Sequence, residues 1–226
     1  MSDVEHPKFL TFIRNPHCAS FSTKGQDNAD PVEFLAVNAH LLYGQSEEER
    51  TREFFALLEW LVQRAKQSKR MYYKNIILMG DLNMDFDSPE SRYSDIVKLL
   101  IELNSNLLTG QSAARGNFPF LNVHPDQVSL FNTNARKDET FDHVVFFIDK
   151  NETGLPLDTQ NQQAGKGGLN GYDYGVFDFS ELFAQAIHGK SFFELSKTQI
   201  NSIYSKSKAD VSDHMPIWVR VPVPGS

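Results

Sequence analysis

Five short groups of residues in this chain are of types that do phosphate and metal chemistry. Gly80-Asp81-Leu82-Asn83 follows the run Asn75-Ile76-Ile77-Leu78-Met79, and Ser212-Asp213-His214 precedes Met215-Pro216-Ile217-Trp218-Val219-Arg220-Val221. Each sets carboxylate, amide or imidazole groups at the mouth of a predicted buried strand, where α/β sheets collect ligands and metals. Side chains two apart on an extended chain lie on one side, so Asp81 and Asn83 can share a pocket. The carboxylate would serve a metal or an attacking water, and the amide a phosphate oxygen. Asp213 and His214 put a hard oxygen ligand beside a group that exchanges protons near neutral pH.

Three further positions join them. Asp142 stands at the entry of the core-like run Phe141-Asp142-His143-Val144-Val145-Phe146. A buried carboxylate is costly unless paired, and an imidazole is its natural partner, which it would orient and make more basic. His143, the alternate residue, points the other way and reads as structural. His40 lies inside the apolar segment Val37-Asn38-Ala39-His40-Leu41, and Arg14 precedes Pro16 at a break in a strand-like stretch, where a guanidinium can clamp a phosphate. Taken singly, each has an ordinary reading: Gly, Asp, Asn and Ser are turn formers, a lone histidine in a strand is more often core, and a lone arginine is usually solvated. Their common placement at strand edges favours chemistry.

The elements that must position them read as follows. Phe9 to Ser22 is a predicted strand interrupted at Arg14-Asn15-Pro16, and Val32 to Tyr43 is a second. Ser46 caps a helix over Glu47 to about Gln67, with Glu49 at capping-box spacing and Phe54, Leu57, Leu58, Leu61 and Ala65 on one face. Asn75 to Met79 is a third strand, and Ser88-Pro89 opens a second helix with Ile96, Leu99, Leu100 and Leu103 on its apolar face. Thr140 to Ile148 and Pro216 to Val223 are the remaining core strands. Residues 149–210 read as an insertion, with a loop over Gln160 to Gly175 and short helices over Phe177 to His188 and Lys197 to Lys206. Strand and helix alternate, which places the chain in the α/β class.

Composition bounds the function. The chain has 226 residues, 40% hydrophobic and 23% charged, enough for a single large domain. No run approaches the ~18 apolar residues of a membrane span. The net charge of −7 argues against a general electrostatic grip on duplex nucleic acid and suits a site for cations. The single cysteine, Cys18, excludes an internal disulfide and reads as a buried, inert thiol.

The order Arg-x-Pro, His, Gly-Asp-x-Asn, Asp, Ser-Asp-His resembles the endonuclease/exonuclease/phosphatase superfamily, which includes deoxyribonuclease I, exonuclease III, neutral sphingomyelinases and inositol polyphosphate 5-phosphatases. The resemblance runs from about Phe9 to Val223, and Ala39-His40-Leu41-Leu42-Tyr43-Gly44 is similar to bacterial members. It implies a four-layer α/β sandwich of the deoxyribonuclease I type and hydrolysis of a phosphodiester or phosphomonoester with Mg²⁺ or Mn²⁺. It implies that Asp81 positions or activates water and that Asn83 holds phosphate. Asp213, with Asp81, would bind metal. His214 would be base or hydrogen-bond donor, oriented by Asp142, and His40 and Arg14 would bind phosphate oxygens. The family's Gln-Glu metal segment lies ahead of the position of Arg14, whereas only thirteen residues precede Arg14 here, with Asp3 and Glu5 as their acids. The expectation is a single domain over 1–226 matching the C-terminal two-thirds of the family fold, completed by an upstream or separate N-terminal segment. The alternative is an inactive member that binds a phosphorylated ligand or a partner. Nucleic acid and small phosphodiesters are the expected substrates. Tyr172, Tyr174, Phe177 and Phe179 would select among them or anchor the insertion.

Overall fold

The computed structural model describes residues 12–23, 31, 33–44, 46–66, 75–84, 132–147 and 174–219. Four strands form one sheet: β1 (His17–Ser22), β2 (Glu33–Asn38), β3 (Ile76–Asp81) and β4 (Asp142–Phe147), side by side in that order. β1 runs antiparallel to β2, β2 parallel to β3, and β3 antiparallel to β4. A parallel neighbour needs a crossover, and helix α1 (Glu47–Lys66) lies between β2 and β3 in the chain.

Local sequence builds α1. The Glu49 N–H donates to Ser46 Oγ at 3.3 Å, which starts the helix where the capping spacing places it. Its apolar stripe, Phe54, Leu57, Leu58 and Leu61, is fully buried. It packs on Leu35 and Val37 of β2, Ile76 and Leu78 of β3, and Val145 of β4. Each such side chain contributes about 2 kcal/mol by leaving water. Alternation sends Phe34, Ala36, Asn38 and Met79 to the other face. There, with Cys18 and Phe21, they line a groove of about 570 Å³.

Residues 174–219 carry a second, two-stranded sheet and two helices. β5 (Tyr174–Val176) pairs antiparallel with β6 (Ile217–Val219). Helix α2 (Phe179–His188), a 3₁₀ turn (Phe192–Glu194) and helix α3 (Lys197–Asp210) connect them. Asp178 caps α2 by accepting from the Glu181 N–H at 2.9 Å. Ser196 and Gln199 form a reciprocal capping box on α3. Ala184, Phe192, Leu195 and Ile203 make a small core between the helices. Ala135, Phe179 and Met215 make another, which ties the loop before β4 to α2 and to the approach to β6. Lys137 reinforces this junction. Its side chain, 6% exposed, pairs with Asp178 and lies over the rings of Phe192 and Phe193, at 4.9 and 4.7 Å from their centroids.

Several expectations change. Tyr174 and Gly175 belong to β5, not to a loop. α3 continues to Asp210, past the expected Lys206. β2 ends at Asn38, although the Ala39 and Leu41 N–H groups still donate to the Met79 and Asp81 carbonyls at 3.0 and 2.9 Å. Cys18 is exposed, because β1, an edge strand among the described residues, is exposed along its whole length. The helix expected after Ser88 and residues 149–173 lie outside the described residues. No helix among the described residues is long and apolar enough to cross a membrane. The mixed sheet and its helices are α/β. The four-layer sandwich, the match to the C-terminal two-thirds of such a fold and its completion by an N-terminal segment remain readings from the resemblance.

Candidate active site

Four chain segments converge at the ends of β2, β3 and β4. Asp81 and Asp142 are register partners on adjacent strands. His214 approaches from the other side of the chain, held there by backbone bonds. Asn134 bridges to His214, the Ala135 N–H donates to the Asp213 carbonyl at 2.9 Å, and the Met215 N–H donates to the Thr133 carbonyl at 2.6 Å. His40 follows the end of β2.

The side chains meet there. His214 Nδ1 lies 2.8 Å from Asp142 Oδ2, the pairing expected from the placement of an acid at a core-strand entry. His214 Nε2 then faces Asp81 Oδ2 at 3.7 Å, and His40 Nε2 stands 3.5 Å from the same oxygen. His40 is about half exposed, so it is not a core histidine. Asp81, Asp142 and His214 offer donor atoms within 4.8 Å of one another, a spacing that can hold a metal ion.

Gly80 makes this approach possible. Its φ of +130° is a region that L side chains avoid. A Cβ there would lie 2.1 Å from the Ala39 carbonyl oxygen. Glycine thus lets the end of β2 lie against β3 and brings His40 to Asp81. Gly80→Ala is expected to lower stability by about 3 kcal/mol through backbone strain, a fall in Tm of about 6–12 °C. An unchanged melting temperature would rule out this close approach.

Electrostatics follow from the geometry. Burial raises the Asp81 carboxyl above its usual range, and the Asp142 carboxylate adds to the rise. His214, the Asn83 N–H and His40 oppose it. His214 is raised to about 9, first by its hydrogen bond to Asp142, against the effect of burial and with help from the charges of Asp142, Asp81 and Asp213. His214 is therefore protonated at neutral pH in the absence of a metal. An imidazolium between two carboxylates also neutralises part of their repulsion.

Other expected residues take different places. Asn83 is buried, with φ of +50°, a conformation asparagine tolerates. Its backbone N–H donates to Asp81 Oδ1 at 2.9 Å, and its side-chain amide donates to the Leu41 carbonyl at 2.7 Å. Its side-chain amide thus holds the His40 segment. Asp213 stands outside the compact cluster, its Oδ2 3.5 Å from Lys208 Nζ. Both groups are about half exposed, and such a pair contributes little. Arg14 is exposed and makes no ion pair among the described residues. His143 is buried, with Nε2 2.9 Å from the Met84 carbonyl, a structural place. Phe179 is core and Phe177 is exposed. The side chains of Tyr172 and Tyr174 lie outside the described residues.

Sequence reasoning missed Glu53. This carboxylate is 4% exposed, accepts from the Leu42 N–H, and receives the Ile13 N–H at 3.4 Å. It thereby ties the segment before Arg14 to the segment after His40. The signal was present: Glu53, Leu57 and Leu61 follow at intervals of four, so a charge sits on the buried stripe. No protein-family model and no curated protein matches this sequence.

Proposed function

We propose that this chain is a divalent-metal-dependent phosphoesterase that hydrolyses a phosphate ester by in-line attack of water. The observation that supports it best is the convergence of Asp81, Asp142, His214 and His40 from four separate segments. Partly buried carboxylates are not gathered at a sheet end without compensation, and here both carboxylates have imidazole partners.

The donor set fits a cation. Asp81 would hold it, Asp142 is the nearest second carboxylate, and Asp213 is the exposed one that a stronger cation can draw from Lys208. Mg²⁺ takes few carboxylates and keeps several waters, while Mn²⁺ also accepts an imidazole nitrogen. The bound ion would neutralise phosphate charge and polarise the ester. The chain's own groups do the rest. Asp142 fixes the His214 ring through Nδ1, so Nε2 presents its proton to the phosphate side of the cleft. His214, its ring fixed by Asp142, would donate from Nε2 to the oxygen on which charge develops, and such a preorganised donor lowers the barrier. Asp81 accepts a hydrogen from, and so orients, the attacking water. His40, with its exposed ring, and Arg14 bind phosphate oxygens.

The overall charge of −7 favours a small phosphodiester, a phospholipid headgroup or a single strand over duplex DNA. A binding-only reading is favoured by the Lys208–Asp213 pair, which keeps a carboxylate from the cluster. The natural polypeptide should be assayed with Mg²⁺ or Mn²⁺ against these ester classes. Hydrolysis is expected to cease with a chelator and return on adding the ion. Hydrolysis indifferent to chelation would overturn the metal assignment. Binding of phosphate esters without turnover of any class would establish the binding-only reading.

A further inference from the structure

Thr133 stands outside every motif considered so far, yet it bonds to the backbone of Asp142 and of Met215, the residue that follows His214. Its side chain is completely buried. Oγ1 accepts from the backbone N–H of Phe141 and of Asp142, each at 3.1 Å. A hydroxyl has two acceptor lone pairs, and these two donors use both. Its carbonyl accepts the Met215 N–H at 2.6 Å, and its own N–H donates to the Glu139 carbonyl at 2.9 Å. Residues 142 and 215 flank the dyad, one carrying the carboxylate and the other following the imidazole.

We propose that Thr133 is a positioning residue that sets the distance between Asp142 and His214, holding the first through its hydroxyl and the second through its carbonyl. The geometry requires a residue of this kind. β4 and β6 belong to different sheets and His214 makes only an isolated bridge, to Asn134, so no ladder shared with β4 fixes the spacing. The 132–140 loop does so instead. It is anchored by Lys137 on Asp178 and by the Asn134 side chain, whose Oδ1 accepts from the Asp138 and Glu139 N–H groups at 3.0 and 3.1 Å. Thr133 is the point where that anchored loop meets both partners. A side chain that held only the loop would bond within it, whereas Oγ1 reaches forward eight and nine residues to the start of β4.

The inference rests on the hydrolase reading for its catalytic consequence, but its structural content does not. The test uses Thr133→Val, which keeps the shape and removes the acceptor, and Thr133→Ser, which keeps the acceptor. NMR reads the hydrogen-bonded Nδ1 proton of His214. This signal is expected in the natural protein and in Thr133→Ser, and broadened or lost in Thr133→Val. Turnover should fall about 10- to 100-fold in Thr133→Val with KM within about twofold, since small misplacement of reacting groups costs rate more than affinity. Thr133→Ser should recover most of it. Should Thr133→Val not fold, hydrogen exchange in the natural protein decides: the Asp142 and Met215 amides should be protected to the same degree. Rapid exchange of the Asp142 amide would overturn the proposal. So would a Thr133→Val protein with an intact Nδ1 signal, or a Thr133→Ser as impaired as Thr133→Val. A changed Nδ1 signal in a protein that hydrolyses no ester would uphold Thr133 and overturn the hydrolase reading alone.

Discussion

His214→Ala is expected to reduce turnover of a phosphate ester by about 10³- to 10⁴-fold, and Asp81→Ala by a similar factor. Removing a positioned proton donor costs about 10²–10⁴ in rate, and removing a donor aimed at developing charge costs about 10²–10³. His214 would supply both effects through one atom, Nε2, because Nδ1 is bound to Asp142. Asp81 lies 3.7 Å from that atom and 3.5 Å from His40, so its loss removes a metal ligand and the partner of two imidazoles together. Groups that act as a unit do not add. The double variant should therefore be about as slow as the worse single one. The measurement is kcat at saturating metal and substrate, with circular dichroism to confirm folding. A His214→Ala protein that keeps more than about a tenth of its turnover would exclude this cluster as the catalytic centre.

Much of this arrangement was legible in the sequence, and the particular residues show why. α1 was readable within a residue at each end because a capping spacing and a 3.6-residue stripe are local signals. That Asp142 takes an imidazole partner was readable because an acid at the entry of a core strand requires one, while His214 as that partner was implied by the family resemblance. β5 was not. It has three residues with glycine in the middle, and only its pairing with β6, about forty residues on, makes it a strand. The exposure of Cys18 was hidden for the same reason: alternation in β1 signals burial, but an edge strand has one neighbour. The Asp213 side chain lies near Lys208 and outside the cluster, a rotamer choice at the surface that no spacing encodes. Thr133 left no periodic trace, since its bonds run from one hydroxyl and one carbonyl to distant backbone.

Asp142→Asn is expected to alter both rate and the pH dependence of stability, in directions fixed by the dyad. In the natural protein His214 is raised from its ordinary 6.5 to about 9, first through its bond to Asp142. A group whose pKa is raised on folding binds its proton more tightly in the native state. Its contribution is complete below the unfolded value near 6.5 and is lost as pH climbs through about 9. Stability should therefore decline between those values. Asparagine removes the charge and the strong acceptor, so His214 returns toward its ordinary value and the decline flattens. Asp81 acts in a separate, acidic window. Its pKa is raised, and Asp142 is the second cause after burial, so Asp142→Asn moves Asp81 back toward its usual range. The two effects are distinguishable because the His214 window runs from about 6.5 to about 9, whereas Asp81 starts from the ordinary carboxylate range. The catalytic consequence is larger. With its proton held less tightly and its ring no longer oriented by a carboxylate, His214 is a poorer donor at Nε2, and kcat should fall about 10²- to 10⁴-fold. Urea melts from pH 5 to 10 on both proteins, beside kcat profiles over the same range, give the comparison. Equal declines in stability above pH 6.5 in the two proteins would show that Asp142 does not hold the His214 proton.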